Sequence, residues 1–316
     1  MKLSRLLPVF GVILFVYIIL NSHPTKLLQA VSGINPFYMA VALPFSAVIL
    51  CMKGLKWRMI MRISGIDYPL KSSIRVWSIG MFAGIVTPGR IGDLIRAFYL
   101  NKQHKSFGRC VSTVIIDRII DISIIFVFAI AGILLFSGML GHSVYMEVML
   151  FFMVAYFIVL YAAAKKNLTG FMLRPIYGFF FSGKHRKKLS AGFNDFYDTV
   201  AMMRKNMAGT LLVCALTLLI WAVSVFQIQL VALSLGIKLD YFFLLAIMSM
   251  AVMIELVPVS VSGMGTRDAF FIFALGNIGI VREYAVVFSI FYLFIYWLTA
   301  AVGLVFWFRE PVKIKI

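Results

Sequence analysis

The sequence predicts an all-α polytopic membrane protein, with about six full transmembrane helices plus two oppositely oriented re-entrant helical hairpins. Three observations carry that prediction. The 316 residues are 62% hydrophobic and 13% charged, in apolar tracts too long and too numerous for a soluble core. Two tracts are interrupted by polar, glycine-containing motifs, TPGRIGDLIR at Thr87 to Arg96 and VPVSVSGMGTRD at Val257 to Asp268. The basic residues, finally, gather on alternate connections between the tracts.

Leu6 to Leu20 is the first apolar tract, preceded by Lys2 and Arg5. With no small-residue cleavage site after it and a second tract close behind, it reads as an uncleaved helix. Phe37 to Met52 is the second, short unless the glycine and apolar residues around it extend the helix at either end. Val114 to Gly138, Tyr145 to Ala164, Ala208 to Leu235 and Tyr284 to Phe308 each reach the roughly 20 residues that cross about 30 Å of hydrocarbon. Arg75 to Leu100 and Asp240 to Gly279 are the two interrupted regions.

With the amino terminus inside, 23 basic residues fall on inner segments, including Lys53, Lys56, Arg58 and Arg62, and only Lys26, Lys238 and Arg282 fall outside. Arg90, Arg96, Arg118 and Arg267 belong to the membrane region. This asymmetry places both termini in the cytoplasm of a multi-pass cell-membrane protein. It also accounts for the net charge of +18 without nucleic acid, because basic loops beside the inner leaflet are drawn to anionic phospholipid.

The same topology orients the breaks. Val76 to Val86 descends from the inner side, Pro88 and Gly89 turn, and Ile91 to Leu100 returns. Tyr241 to Val257 enters from outside, breaks across Pro258 to Gly265, and returns through Ala269 to Ile278. Counting hairpin arms as full helices gives eight spans instead, with the termini unchanged. Opposed broken helices are the pattern of inverted repeats in transporters. PGRIGDLIRAF and SGMGTRDAFFIF share glycines, an arginine and an aspartate before an aromatic arm, in different order, so a duplication is one reading of them.

Backbone groups freed at such breaks need protein, water or ligand partners, since lipid offers none. Pro88 removes a donor, and Gly89, Gly92, Gly263 and Gly265 permit tight or unusual turns. A headgroup phosphate could be met at the start of the Ile91 to Leu100 helix, by its amides, Arg90 and Arg96. Arg267 stands at the start of the second return helix. Asp93 and Asp268 have two roles open to them, helix cap or partner of an arginine. Asp117, Arg118 and Asp121 form a third cluster, in which Asp117 and Asp121 share a helix face and one of them is expected to meet Arg90 or Arg96. For Glu255, deep in the bilayer, the readings are a cation or amine contact, a transport-coupled proton, or a salt bridge to Arg267.

The basic loop at 165–206 contains GKHRKKLS and a stretch, Leu189 to Met203, suited to an amphipathic interfacial helix with Phe193, Phe196, Tyr197 and Val200 near its apolar side. It is too small for an added catalytic domain. Cys51, Cys110 and Cys214 lack metal-ligand or disulfide spacing, so no metal and no cofactor are expected. The sequence has no Walker loop, HExxH, paired-cysteine motif or nucleophile elbow, and no residue is marked as catalytic.

At this point three elements in order carry a resemblance: Pro88 to Ala97 (PGRIGDLIRA), Asp117 to Asp121 (DRIID) and Ser262 to Asp268 (SGMGTRD). They resemble the lysylphosphatidylglycerol synthase transmembrane, or flippase-like, family over nearly the whole chain. That family typically has Glu at the position of Asp93 and commonly at that of Asp268, so the carboxylates here reach less far. The resemblance implies one flippase-like integral membrane domain over 1–316, with re-entrant helices. It implies a flippase or transporter for a polar lipid, either a phospholipid such as aminoacylated phosphatidylglycerol or a polyprenyl-phosphate-linked lipid. A membrane-embedded lipid-modifying enzyme and a non-catalytic lipid-binding membrane partner are the alternatives. Bifunctional members carry a soluble aminoacyl transferase domain; this chain ends soon after its last span, so that activity is not expected. The expected partners are a membrane phospholipid or isoprenoid-linked lipid, with homo-oligomerisation and a separate lipid-synthesising enzyme left open. Arg90, Asp93, Arg96, Arg267 and Asp268 are the expected headgroup contacts, supported by Asp117, Arg118, Asp121 and Glu255.

Overall fold

The computed structural model describes residues 3–104, 106–140, 183–256 and 262–311, with Ser260 and a few residues between 147 and 161. Among these residues there are eleven α-helices and no strand. They are α1 (Leu3–Leu20), α2 (Pro24–Ser32), α3 (Pro36–Ile63), α4 (Leu70–Val86), α5 (Ile95–Asn101), α6 (Phe107–Leu140), α7 (Gly183–Lys205), α8 (Met207–Ser234), α9 (Tyr241–Leu256), α10 (Thr266–Asn277) and α11 (Arg282–Arg309). The chain is an all-α polytopic membrane protein. Four helices, α3, α6, α8 and α11, are long and apolar enough to cross a membrane, and α1 with α2 makes a fifth candidate if that bent pair is one span. The expected span Tyr145 to Ala164 lies largely outside the described residues.

Two boundaries differ from expectation for identifiable reasons, while the first tract ends at Leu20 as expected and the chain there turns by 91° into α2. Pro24, with no N–H to lose, starts that second helix, and Leu27 and Ala30 turn onto the core. The second tract continues well past Met52 to Ile63, because Lys53 and Lys56 are helical and turned inward instead of ending the helix in a loop. Arg75, expected at a loop edge, is within α4 and pairs with Glu310 beyond the end of α11.

The predicted breaks occur where expected. α4 stops at Val86, and a 3₁₀ segment over Pro88–Leu94 leads into α5. α9 stops at Leu256 and α10 restarts at Thr266. Pro258, proposed as a turn residue, lies outside the described residues. The expected helix from Ile91 to Leu100 is a correction: after Gly89 and Arg90 at positive φ its first half is 3₁₀, with the Gly92 N–H taken by Thr87 Oγ1, and the α-helix begins at Ile95.

The main core joins α3, α6, α8, α9, α10 and α11 through Phe126, Ile228, Ile247, Phe271 and Phe288, and a second cluster joins α3, α4, α5 and α6 around Trp57 and Trp77. In lipid, where apolar burial between helices gains little, close approach at small residues holds helices together. Gly303 brings α11 so near α4 that a Cβ there would overlap the Ser78 carbonyl. The amphipathic stretch expected over Leu189 to Met203 is part of the longer α7, and Phe196, Val200 and Met203 turn onto Ile60, Ile116 and Val213. Its apolar side therefore packs on protein. Ser106 Oγ donates to Asp195 Oδ2 at 3.0 Å on the same contact.

Gly303→Leu is expected to destabilise the protein by roughly 1–3 kcal/mol through overpacking. Gly276→Ala, whose Cβ meets open space, is expected to cause no loss. Thermal unfolding in detergent checks both.

Candidate functional site

The two tips are built alike. Each contains consecutive residues of positive φ, Gly89 and Arg90 (62° and 56°) in the first and Ser262 and Gly263 (54° and 71°) in the second. Arg90 and Ser262 are not glycines, and holding an ordinary side chain in this region is costly unless the surroundings fix it. Both are fixed by reaching across to the opposite hairpin. Arg90 Nη2 donates to Glu255 Oε2 at 2.9 Å, in the last turn of α9. Ser262 Oγ donates to the Ile85 carbonyl at 2.9 Å, in the last turn of α4. The contacts are reciprocal, so each tip satisfies the end of the other's entering helix.

Glu255 is the centre of this junction. Its other oxygen, Oε1, accepts from Arg267 Nη1 at 3.1 Å, and Arg267 also holds Asp268 Oδ1 at 2.7 Å. Asp268 takes both roles that the sequence left open, since its Oδ2 accepts from the Gly265 N–H at 2.9 Å and caps α10. Arg90 and Arg267 lie over Tyr296 and Tyr292, at 5.3 and 4.7 Å from the ring centroids. These tyrosines are one turn apart on α11 and supply cation–π partners in place of water.

A second network lies on the first hairpin. Arg96 is fully buried; its Nη1 donates to Asp117 Oδ2 at 2.7 Å, and its guanidinium sits between Trp57 and Trp77. Lys56, also fully buried, reaches Asp117 at 2.8 Å and Asp121 at 2.5 Å. Arg118 pairs with Asp93. Two glycines one turn apart on α4 make the room. A Cβ on Gly80 would press on the Arg96 side chain at 2.5 Å, and one on Gly84 would stand 3.0 Å from Asp93 Oδ1. The GxxxG spacing inside GMFAG thus makes a groove for the charged side chains of the 3₁₀ segment and α5. The Gly92 N–H is held by Thr87 Oγ1 at 2.7 Å.

Between these networks lies a cavity of about 150 Å³. Its polar lining includes Lys53 from α3, Arg90 and Asp93 from the first tip, Arg118 and Asp121 from α6, Gln227 from α8, and Tyr292 and Tyr296 from α11. Trp77 is the aromatic wall, and Lys53 Nζ stands 5.2 Å from its ring centroid. Three cations therefore face a space bordered by the four long helices and by α4 and α9. The Arg118 Nε and Asp121 Oδ2 atoms are buried and make no hydrogen bond among the described residues.

Of the expected headgroup residues, Arg90 and Asp93 line this space, and so do Arg118 and Asp121 from the expected supporting network. Arg96, Arg267 and Asp268 are buried behind it, and Glu255 joins the two tips. A phosphate at the amides of an Ile91 helix has no counterpart, because no α-helix starts there and Thr87 occupies one of the N–H groups. Sequence reasoning missed Lys53, Lys56, Tyr292 and Tyr296. The signal was present for the lysines: Lys53, Lys56 and Ile60 continue the helical spacing of α3 beyond Met52. Among the described residues, no group of three or more His, Cys, Asp or Glu is arranged to hold a metal ion.

Fold and site together define a polytopic membrane protein whose buried charges are gathered where two interrupted helices meet. The chain belongs to the family described as lysylphosphatidylglycerol synthase TM region, whose model matches residues 6–303. It is similar to a UPF0104 membrane protein of Methanothermobacter thermautotrophicus, 24% identical over 95% of this chain and 93% of the relative. UPF0104 membrane proteins of Methanocaldococcus jannaschii and Pyrococcus horikoshii are 23% and 21% identical, over 81% and 83% of this chain and 79% and 84% of theirs. No solved structure matches significantly.

Asp117→Asn should be strongly destabilising, by roughly 3–5 kcal/mol, because Arg96 and Lys56 would lose a shared counter-ion while remaining buried. Thermal unfolding of the purified variant checks this; an unchanged transition would mean that the two cations do not depend on Asp117.

Proposed function

We propose that this protein binds and moves a polar lipid across the membrane, the lipid being a phospholipid such as aminoacylated phosphatidylglycerol or a polyprenyl-phosphate-linked lipid. The observation that carries the reading is the cavity on which Lys53, Arg90 and Arg118 converge, among helices long enough to span a bilayer. A lipid phosphate inside hydrocarbon loses its water and needs charge-assisted donors in return. A polar route between the hairpins lets the headgroup cross while the tails stay in lipid. In this reading Arg90 and Arg118 contact the phosphate, and Arg96, Arg267 and Asp268 position the tips. The hairpins enter from opposite sides, as in transporters with inverted repeats.

The proposed setting is the cell membrane with both termini cytoplasmic. Moving Lys53 and Lys56 from the inner segments to the membrane interior leaves the basic residues divided 21 to 3, still strongly one-sided. Single cysteines introduced at exposed loop positions of a Cys-free variant are expected to label from outside near Lys26 and Lys238 and to be protected near Lys71; the reverse pattern overturns the orientation.

The functional test is reconstitution into vesicles with trace tail-labelled phosphatidylglycerol or polyprenyl phosphate, following leaflet exchange by surface quenching. Exchange above protein-free vesicles is expected for at least one lipid, reduced about tenfold or more in Arg118→Gln, where a desolvated charge contact is lost. Neither binding nor exchange of any such lipid would remove the proposal. Conversion of the lipid to a covalent product would replace it with the enzyme reading.

A further inference from the structure

The charges around the cavity do not balance. Across the cavity and both tips stand six basic side chains, Lys53, Lys56, Arg90, Arg96, Arg118 and Arg267, and five carboxylates, Asp93, Asp117, Asp121, Glu255 and Asp268. Every one of these except Lys53 has an ion-pair partner. Among the described residues no carboxylate lies within 4.0 Å of Lys53, and its ammonium stands beside the Trp77 ring at the cavity wall. The excess is one positive charge, and it faces the space.

Lys53 is partly buried; an uncompensated charge withdrawn from water is costly, and a ligand that supplies one negative charge reduces that cost. The size of that excess narrows the ligand further. One singly ionised phosphodiester balances it, whereas a diphosphate brings more negative charge than the site lacks. An ammonium on the headgroup would add positive charge to a site that already carries an excess. Among the described residues lining the cavity, Asp121 Oδ2 is a buried carboxylate oxygen with neither a hydrogen bond nor an ion-pair contact; its carboxylate is shared with Lys56, and it can take a hydroxyl without further charge.

Building on the lipid-binding reading above, we infer that the ligand is a singly charged phosphodiester lipid with an uncharged, hydroxyl-bearing headgroup, and that Lys53 holds its phosphate and sets this selectivity. This narrows the two kinds of lipid proposed above: zwitterionic, cationic and diphosphate lipids are then poor ligands, which selects against aminoacylated phosphatidylglycerol and leaves singly charged phosphodiesters of either kind.

The test is competition for the detergent-purified full chain, with tail-labelled phosphatidylglycerol as the probe followed by fluorescence anisotropy. Unlabelled phosphatidylglycerol is expected to displace it at a concentration at least about tenfold lower than phosphatidylethanolamine, lysyl-phosphatidylglycerol or a polyprenyl diphosphate. Lys53→Gln should abolish that difference, and Lys53→Arg should retain it. Equal displacement by all four lipids in the unaltered protein overturns the selectivity while leaving lipid binding standing, and needs no variant to fold. Selectivity that persists in a folded Lys53→Gln protein overturns the role of Lys53. Binding of none of the lipids, together with no exchange in vesicles, removes the underlying reading as well.

Discussion

One carboxylate shared by two arginines from different hairpins ties this structure together. Hydrocarbon cannot hydrogen-bond, so each helix broken within it leaves polar groups to be satisfied by protein. Glu255 at the end of α9 accepts from Arg90 of the first tip and Arg267 of the second, while Ser262 meets the end of α4. Neither hairpin would complete its own polar contacts alone. The unusual backbone of Arg90 and Ser262 is the cost of these reaches, and the contacts they make hold it in place.

The charged groups divide into two kinds with different consequences. Lys56, Arg96 and Asp117 are buried in one cluster and Arg267 and Asp268 in another, and the first cluster joins α3, α5 and α6. Arg90, Arg118, Asp93, Asp121 and Lys53 border the cavity. Two of the buried contacts join elements that carry or adjoin cavity residues. Arg96 pins α5 against α6, and Lys56 pins α3 against α6, one turn from Lys53. The GxxxG groove on α4 makes the first of these contacts sterically feasible.

Much of this was legible in the residues. The apolar tracts announced α6, α8 and α11 to within a turn or so at most ends, and Pro88, Gly89 and the SGMG run marked both breaks. A polar motif within an apolar tract has few ways to be accommodated. Arg267 with Glu255, and Asp117 with Arg96, were among the pairings that charge arithmetic allowed. Lys53 and Lys56 were misread because a lysine beside an apolar tract ordinarily ends it at the interface, and nothing local reveals carboxylates 61 or more residues further on waiting inside the bilayer. Tyr292 and Tyr296 were hidden for a related reason: an aromatic residue in an apolar helix has the same pattern whether it faces lipid or an arginine.

The sequence alone determined that the chain is helical, crosses a membrane several times, and interrupts two of its helices with charge, since length, hydropathy and turn chemistry are local properties. Which charges are spent on one another, and which are left facing the cavity, was decided only in three dimensions. Ion pairing depends on distances between helices far apart in the chain, and those distances follow from how the helices pack.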